Sequence, residues 1–353
     1  MIPTAATDAR FRLTVKMVSG AQEWREATGR LGGHLLQSWR WGEFKRRHGW
    51  SPLRLLLSRD DDPVVAAQLL FRSFGPVKIG YAPRGPATAG ASLHDLAAFT
   101  SALDGLHAGG VTAALFLEPD APDVPLPTAG TLRWRAFPES FQPRRTIKVP
   151  LVGSDDDLLA AMKPKTRYNV RLAARRGVTT CVGGLTELPA FYRLLEETAE
   201  RDHFGIHSVD YYRDVLDTFD GDAALLLGEF EGALAAGVLV IRHRDEAIYM
   251  YGASATALQR HMATYLVQFA AMRWARDHGC RVYDLWGIPH PDEHPEGVER
   301  EEAAALNVRD GLWGVFRFKQ GFGGDIVEYP GVYERVYLPP LVAMWRRFGR
   351  SLG

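Results

Sequence analysis

One order of elements, strand–strand–strand–turn–helix–strand, occurs twice in this 353-residue chain and limits its fold more than any other feature. The first copy has apolar, strand-like runs at residues 53–57, 64–71 and 77–81. They are followed by the turn YAPRGP, a helical pattern over 93–107 and the strand VTAALFLEP. The second copy has runs at 224–229, 235–243 and 248–251, then the turn GASA, a long helical pattern over 258–278 and the strand CRVYDLWG. The copies lie about 170 residues apart. Strands interleaved with a long helix call for mixed sheets covered by helices, so the predicted class is α/β (α+β mixed sheets) in duplicate. A chain of this length divides into two domains by default. The join is expected near residues 149–154. The first domain then comprises residues 1–149 with a returning segment, 326–353, and the second comprises 150–325.

Charge and cysteine usage narrow the class of function. Equal numbers of acidic and basic residues give a formal net charge of zero, which argues against a protein that coats nucleic acid, though not against a local basic patch. Cys181 and Cys280 form neither a C-x-x-C pair nor a disulfide framework, which fits a reducing cytosol. The start, MIPTAATDARFRLTVK, has no apolar signal-like core, and no run of about 18 apolar residues occurs. A cytoplasmic protein is expected. His290 and His294 in PHPDEHP stand four apart, but the prolines forbid a regular helix, so no metal site is expected there. Ser254 lacks the G-x-S-x-G elbow of a serine hydrolase.

The candidate site centres on GLWGVFRFKQGFGGDIVEYPGVY, residues 311–333. At period two, Phe316 and Phe318 share one face and Val315, Arg317 and Lys319 the other, so the stretch reads as a strand. Gly321, Gly323 and Gly324 would then turn it into a second strand near 326–329. Lys319, between Phe318 and Phe322, is either a solvated strand-end lysine or a cation held rigid and desolvated to meet developing negative charge. Residues 35–50, LLQSWRWGEFKRRHGW, read as a short helix capped by Gln37 or Ser38, with Lys45, Arg46 and Arg47 at its solvated end. In KPKTRYNVRLAARRGV, Arg167, Arg171 and Arg175 follow at i, i+4 and i+8 on one helical face, with Lys163 and Lys165 beside them. Such a face is usually solvated; the alternative is a phosphate or RNA patch.

Taken together, SWRWGEFKRRHGW, YAPRGP, KPKTRYNVRLAARRGV, ETAERDHFGI, YMYGAS, DLWGI and GLWGVFRFKQGFGG resemble, in order, the motifs of the FemABX family of non-ribosomal peptidyltransferases. The resemblance covers nearly the whole chain and is to the shorter, FemX-like form without a coiled-coil arm. It implies two tandem GNAT-like (acyl-CoA N-acyltransferase-like) domains. It also implies transfer of an amino acid of the glycine, alanine or serine class from aminoacyl-tRNA to the third-residue amine of a peptidoglycan stem peptide. The acceptor would be UDP-MurNAc-pentapeptide or lipid II. In this reading Lys319 stabilises the oxyanion with Phe318 beside it, no protein base is assigned, and no cofactor is required beyond aminoacyl-tRNA as co-substrate. The resemblance assigns Lys45 and Arg201 to the acceptor's diphosphate, with Thr198 from the same segment. Tyr249 and Tyr251, two apart on one strand, share a face, and one of them would line the peptide channel. Arg84, displayed by YAPRGP, is a further substrate candidate. A monomer is expected, and the basic tail, VYLPPLVAMWRRFGRSLG, would pack on the first domain or touch the inner face of the plasma membrane.

Three rival functions remain. An acetyl-CoA-dependent N-acetyltransferase needs a glycine-containing phosphate loop before the second long helix, where this chain has QRHMATY. The other two are a tRNA-dependent protein N-terminal aminoacyltransferase and a non-catalytic cell-wall scaffold.

Overall fold

The computed structural model describes residues 11–75, 77–108, 112–120, 134–289 and 311–348. His290 and His294 of the PHPDEHP segment lie outside them. The chain forms two compact units: residues 1–142 with 329–353, and residues 143–328. The first join therefore falls seven residues before the expected 149/150, because residues 145–150 form a strand of the second unit's sheet, paired on both sides.

The first unit opens with β1 (Leu13–Met17), α1 (Ala21–Arg30) and α2 (Trp39–Arg47). It continues through β2 (Ser51–Arg59), β3 (Asp62–Phe74), β4 (Val77–Pro83) and β5 (Ala87–Thr88) to α3 (Leu93–Ala108), β6 (Thr112–Glu118) and β7 (Arg135–Phe137). Ser38 caps α2 by accepting the Trp41 N–H at 3.1 Å. The second unit holds β8 (Arg145–Pro150), α4 (Asp155–Ala161), α5 (Pro164–Arg175), β9 (Thr179–Gly183), α6 (Leu188–Asp202) and α7 (Val209–Thr218). After these come β10 (Ala223–Phe230), β11 (Ala233–His243), β12 (Glu246–Ser254), α8 (Ala263–Asp277), β13 (Val282–Asp284), α9 (Gly311–Gln320) and β14 (Asp325–Glu328). The chain then returns to the first unit with β15 (Val332–Val336) and α10 (Pro339–Phe348).

The expected duplication is visible in strand pairing. In the first sheet, ordered β1-β2-β3-β4-β6-β15-β7 with β5 on β3, antiparallel β2, β3 and β4 lead through α3 to β6, which runs parallel to β4. In the second, ordered β14-β8-β13-β12-β11-β10-β9, antiparallel β10, β11 and β12 lead through α8 to β13, parallel to β12. Every residue of β6 is buried, as a strand covered on both faces requires. The second core gathers Leu226, Val238 and Val240 from the strands, Val267, Ala271 and Met272 from α8, and Phe322 after α9. Trp345 and Val342 of α10 are buried, with Trp345 5.7 Å from Phe116, so the tail helix packs on the first unit.

The expected strand over residues 315–319 is a helix, α9. Its working periodicity is i, i+3, i+4 and i+7, carried by Val315, Phe318, Lys319 and Phe322. Phe318 and Phe322 meet edge to face at 5.1 Å, and both pack on Tyr265 of α8. The glycines after α9 permit close backbone approach. Gly323 and Gly324 have φ of 86° and 83°, and a Cβ on Gly324 would collide with the Lys148 carbonyl. The long helical pattern over 258–278 is likewise interrupted: residues 256–261 form a 3₁₀ turn, and Met262, at φ 60°, redirects the chain into α8.

Candidate active site

A cavity of about 240 Å³ in the second unit brings together α6, β11, β12, α8 and α9. Val315, Phe318 and Lys319 line it from one face of α9, Thr198 and Arg201 from the end of α6, Tyr249 and Ser254 from β12, and Thr264 and Gln268 from α8. A second recess of about 490 Å³ adjoins it at the start of α8 and shares Ser254, Thr264, Val315 and Phe318.

Lys319 is 7% exposed. Its Nζ donates to the Gly287 carbonyl at 2.7 Å and lies 5.4 Å from the centre of the Tyr249 ring. Burial lowers its pKa to about 8, with the Asp284 carboxylate acting in the opposite sense. The lysine is therefore a desolvated cation rather than a solvated strand end. Among the described residues one of its three N–H donors is used, and the ammonium lines a cavity. That arrangement can receive negative charge that develops on a substrate oxygen.

The other expected residues separate into two groups. Thr198 and Arg201 reach the cavity, but both also serve the fold. The Thr198 hydroxyl donates to the Leu194 carbonyl at 2.8 Å and accepts the Ser254 N–H at 3.1 Å. Arg201 Nη1 donates to the Ser254 carbonyl at 2.9 Å and to Thr256 Oγ1 at 3.1 Å, while Nε and Nη2 grip the Asp202 carboxylate at 2.9 and 2.8 Å. The Asp202 bond keeps the guanidinium pKa above its ordinary value. A phosphate at Arg201 must therefore replace Asp202 or use the remaining Nη2 hydrogen.

Tyr249 lines the cavity; Tyr251 does not. Opposite them, Val240 and Leu239 are consecutive, so β12 carries a bulge at Met250. The extra residue turns the two tyrosines to different faces, contrary to the period-two expectation. Tyr249 packs toward α8, where Gln268 bonds its hydroxyl and burial pushes its pKa up to about 12. Tyr251 packs against Tyr211 and Tyr212 of α7, 6.4 and 5.0 Å between ring centres. Arg84 is 1% exposed and stacks 3.6 Å from the Tyr329 ring centre, so the YAPRGP turn buries rather than displays it.

In the first unit, Lys45 is 8% exposed, with Nζ 5.7 Å from the ring centres of both Trp41 and Trp50. Burial and then the nearby Arg72 lower its pKa to about 8. It is thus a buried cation and not part of a solvated helix end; Arg46, beside it, is exposed and pairs with Glu43 at 3.3 Å.

α5 begins next to the end of α9. Lys163 N–H donates to the Gly321 carbonyl at 2.9 Å and its Nζ to Gln320 Oε1 at 2.6 Å. Gly321 allows this approach, since a Cβ there would strike Thr166 Oγ1. Lys165, Arg171 and Arg175 are exposed, and none of the five expected cations of this segment has a carboxylate partner among the described residues. Tyr168, 55% exposed, shares the outward face, with the Arg175 guanidinium 5.7 Å from its ring centre.

The sequence matches the FemAB family at residues 131–233 and 228–345, together more than half of the chain. The chain belongs to the FemAB family. Its class of activity is aminoacyl transfer. It is 25% identical to the lipid II:glycine glycyltransferase of Staphylococcus aureus (strain COL), over 88% of this chain and 89% of the relative. The protein of the same name from Staphylococcus saprophyticus is also 25% identical, with the same coverage. Among solved structures, the crystal structure of FemX superposes with a TM-score of 0.77 at 21% identity, covering 95% of this chain and all of that one. The fold is thereby that of FemX, and the strand pairing described above is repeated in the two units. Within this FemAB fold, sequence reasoning left Asp284 of DLWG and Gln268 of α8 without a role. Asp284 was signalled by a carboxylate closing an otherwise apolar strand; Gln268, one polar residue on a helix, carried no such signal.

Proposed function

We propose that this FemAB-family chain moves an amino acid from the ester of an aminoacyl-tRNA to the side-chain amine of the third residue of a peptidoglycan stem peptide. The amine nitrogen bonds to the ester carbonyl carbon, and the carbonyl oxygen takes up negative charge. Collapse then breaks the carbon–oxygen bond to the ribose, whose hydroxyl leaves with the proton that the amine gives up. The Lys319 ammonium stabilises the intermediate oxyanion, and Phe318 walls the cavity beside it. One observation carries this reading: a buried, protonatable amine on a cavity wall, tied among the described residues by a single hydrogen bond.

The names of the staphylococcal relatives support lipid II as the acceptor and a small amino acid such as glycine as the cargo. Arg201 in the second unit and Lys45 in the first are each proposed to bind acceptor phosphate. The outward face of α5 is proposed to take the RNA, since its cations lack carboxylate partners among the described residues and Lys163, at the helix N-cap, bonds to Gln320, next to Lys319. The turn before α8, built from Gln259, Arg260 and Met262, offers no glycine for a coenzyme A pyrophosphate, which favours aminoacyl-tRNA over acetyl-CoA as donor.

A mass-spectrometric transfer assay tests the reading. The protein is offered a mixed aminoacyl-tRNA pool, with UDP-MurNAc-pentapeptide or lipid II as acceptor and acetyl-CoA in a parallel reaction. The expected product gains the mass of a whole amino-acid residue and disappears after RNase treatment. An acetyl gain would replace this reading with the CoA-dependent one. Transfer to free peptide N-termini alone would favour protein tagging, and no transfer to any acceptor would favour a scaffold.

A further inference from the structure

The DLWG segment that closes β13 lies against Lys319, and its carboxylate has no part in the chemistry above. Asp284 is fully buried. Its Oδ1 accepts the Trp286 N–H at 2.6 Å and the Thr146 hydroxyl. Those bonds hold a tight turn: Trp286 sits at φ 57°, and Gly287 passes so close to Pro143 that a Cβ would lie 2.6 Å from its Cγ. The product of the turn is the position of the Gly287 carbonyl, the acceptor that holds Lys319 Nζ. Asp284 Oδ2 receives no hydrogen bond from the described residues, and Lys148 Nζ stands 3.9 Å from it. A buried carboxylate left partly unsatisfied is costly, and such a cost persists where the charge is used.

We propose that Asp284 is the positioning residue for Lys319: it builds the turn that aims the ammonium and supplies the buried negative charge that accompanies it. This deepens the reading of Lys319 as the oxyanion cation and rests on it. Both parts of the role are needed by a cation that works in a desolvated site. A lysine on a long flexible stem is placed only if its acceptor is fixed. It also remains charged in an apolar setting only if an opposite charge is near. The other charged or titratable groups around the pair are few. Lys148 of β8 opposes Asp284 and is itself bound to Glu246 of β12 at 2.9 Å. Tyr249 and Tyr283, both pushed upward by burial, stay neutral at physiological pH. Across the cavity, Arg201 and Asp202 neutralise one another.

The test reads the protonation of Lys319 directly. Competitive labelling of the intact protein with acetic anhydride across pH, followed by peptide mass spectrometry, gives the midpoint of Lys319 reactivity, which is expected near 8. Asp284→Asn retains an acceptor for Trp286 but removes the charge, and should lower that midpoint by about one pH unit. The alkaline limb of transfer should fall with it, and kcat should drop about threefold at pH 7.5 with little change in KM. Lys148→Met removes the cation opposing Asp284 and should move the midpoint upward, so the sign is tested even if Asp284→Asn fails to fold. A folded Asp284→Asn with an unmoved midpoint overturns the proposal, as does an unmoved midpoint in Lys148→Met. Full transfer activity in Lys319→Met would defeat the oxyanion role separately, while leaving the labelling result to be judged alone.

Discussion

Replacing Lys319 with Met should change how stability depends on pH as well as slow turnover. The folded protein holds Lys319 near pKa 8 against an ordinary 10.5, because burial disfavours the ammonium. At 1.36 kcal/mol per pH unit, that fall corresponds to about 3 kcal/mol. Below pH 8 both folded and unfolded chains are protonated at this site, and the full cost of burying the charge is present. Between 8 and 10.5 the unfolded chain holds the proton and the folded chain does not, so stability rises with pH through that window. About 2.5 kcal/mol of the change falls between pH 7 and 10. Lys319→Met lacks this contribution, while the other titrating groups are common to both proteins and cancel. Urea unfolding of both at pH 7 and pH 10 gives four free energies. Wild type should gain about 2.5 kcal/mol relative to Lys319→Met on going to pH 10. A relative gain below about 1 kcal/mol would mean that the amine is solvated, and the argument for a desolvated cation would fail.

Other substitutions probe the remaining parts. Asp202→Asn frees the Arg201 fork, so the KM for a diphosphate-bearing acceptor should fall about fivefold, in line with roughly 1 kcal/mol for a half-exposed ion pair; a higher KM would assign Asp202 to substrate binding. Tyr168→Ala should weaken binding of single-stranded RNA about tenfold in a filter or anisotropy assay, whereas Tyr168→Phe should not, because stacking needs only the ring. Arg171→Ala should reduce the salt dependence of the same binding by about one counterion, and an unchanged slope would remove α5 from the RNA surface. Gly324→Ala combines a left-handed φ of 83° with a collision at the Lys148 carbonyl, so thermal or urea unfolding should show a loss of at least about 1–3 kcal/mol.

The strands on either side of α3 and α8 were legible as continuous apolar runs, because burial on both faces demands them, as in β3, β6 and β11. The duplicated order followed from those runs; β1, β5, β7, β8, β9 and β15, shorter or more exposed, were not read from the sequence. α9 was not legible in GLWGVFRFKQ, because Phe316 and Phe318 satisfy period two while Phe318 and Phe322 satisfy period four. Only packing on Tyr265 decides between the two. The bulge at Met250 is equally silent in sequence, yet it separates Tyr249 from Tyr251 and so decides which tyrosine meets the cavity. Lys319 itself was found from its aromatic neighbours and the resemblance of its motif. What held it, the Gly287 carbonyl and the Asp284 turn, depends on contacts across 32 and more residues of chain that no local pattern encodes.

The most direct test of the account compares single-turnover transfer by wild type and Lys319→Met, with saturating aminoacyl-tRNA and either UDP-MurNAc-pentapeptide or lipid II, read by mass. Loss of one oxyanion donor costs about 2.7–4 kcal/mol. Wild type should therefore show an RNase-sensitive gain of one amino-acid residue, and a folded Lys319→Met a rate about 10²–10³-fold lower with substrate affinities preserved. A Lys319→Met protein that transfers at the wild-type rate would contradict the oxyanion role of Lys319.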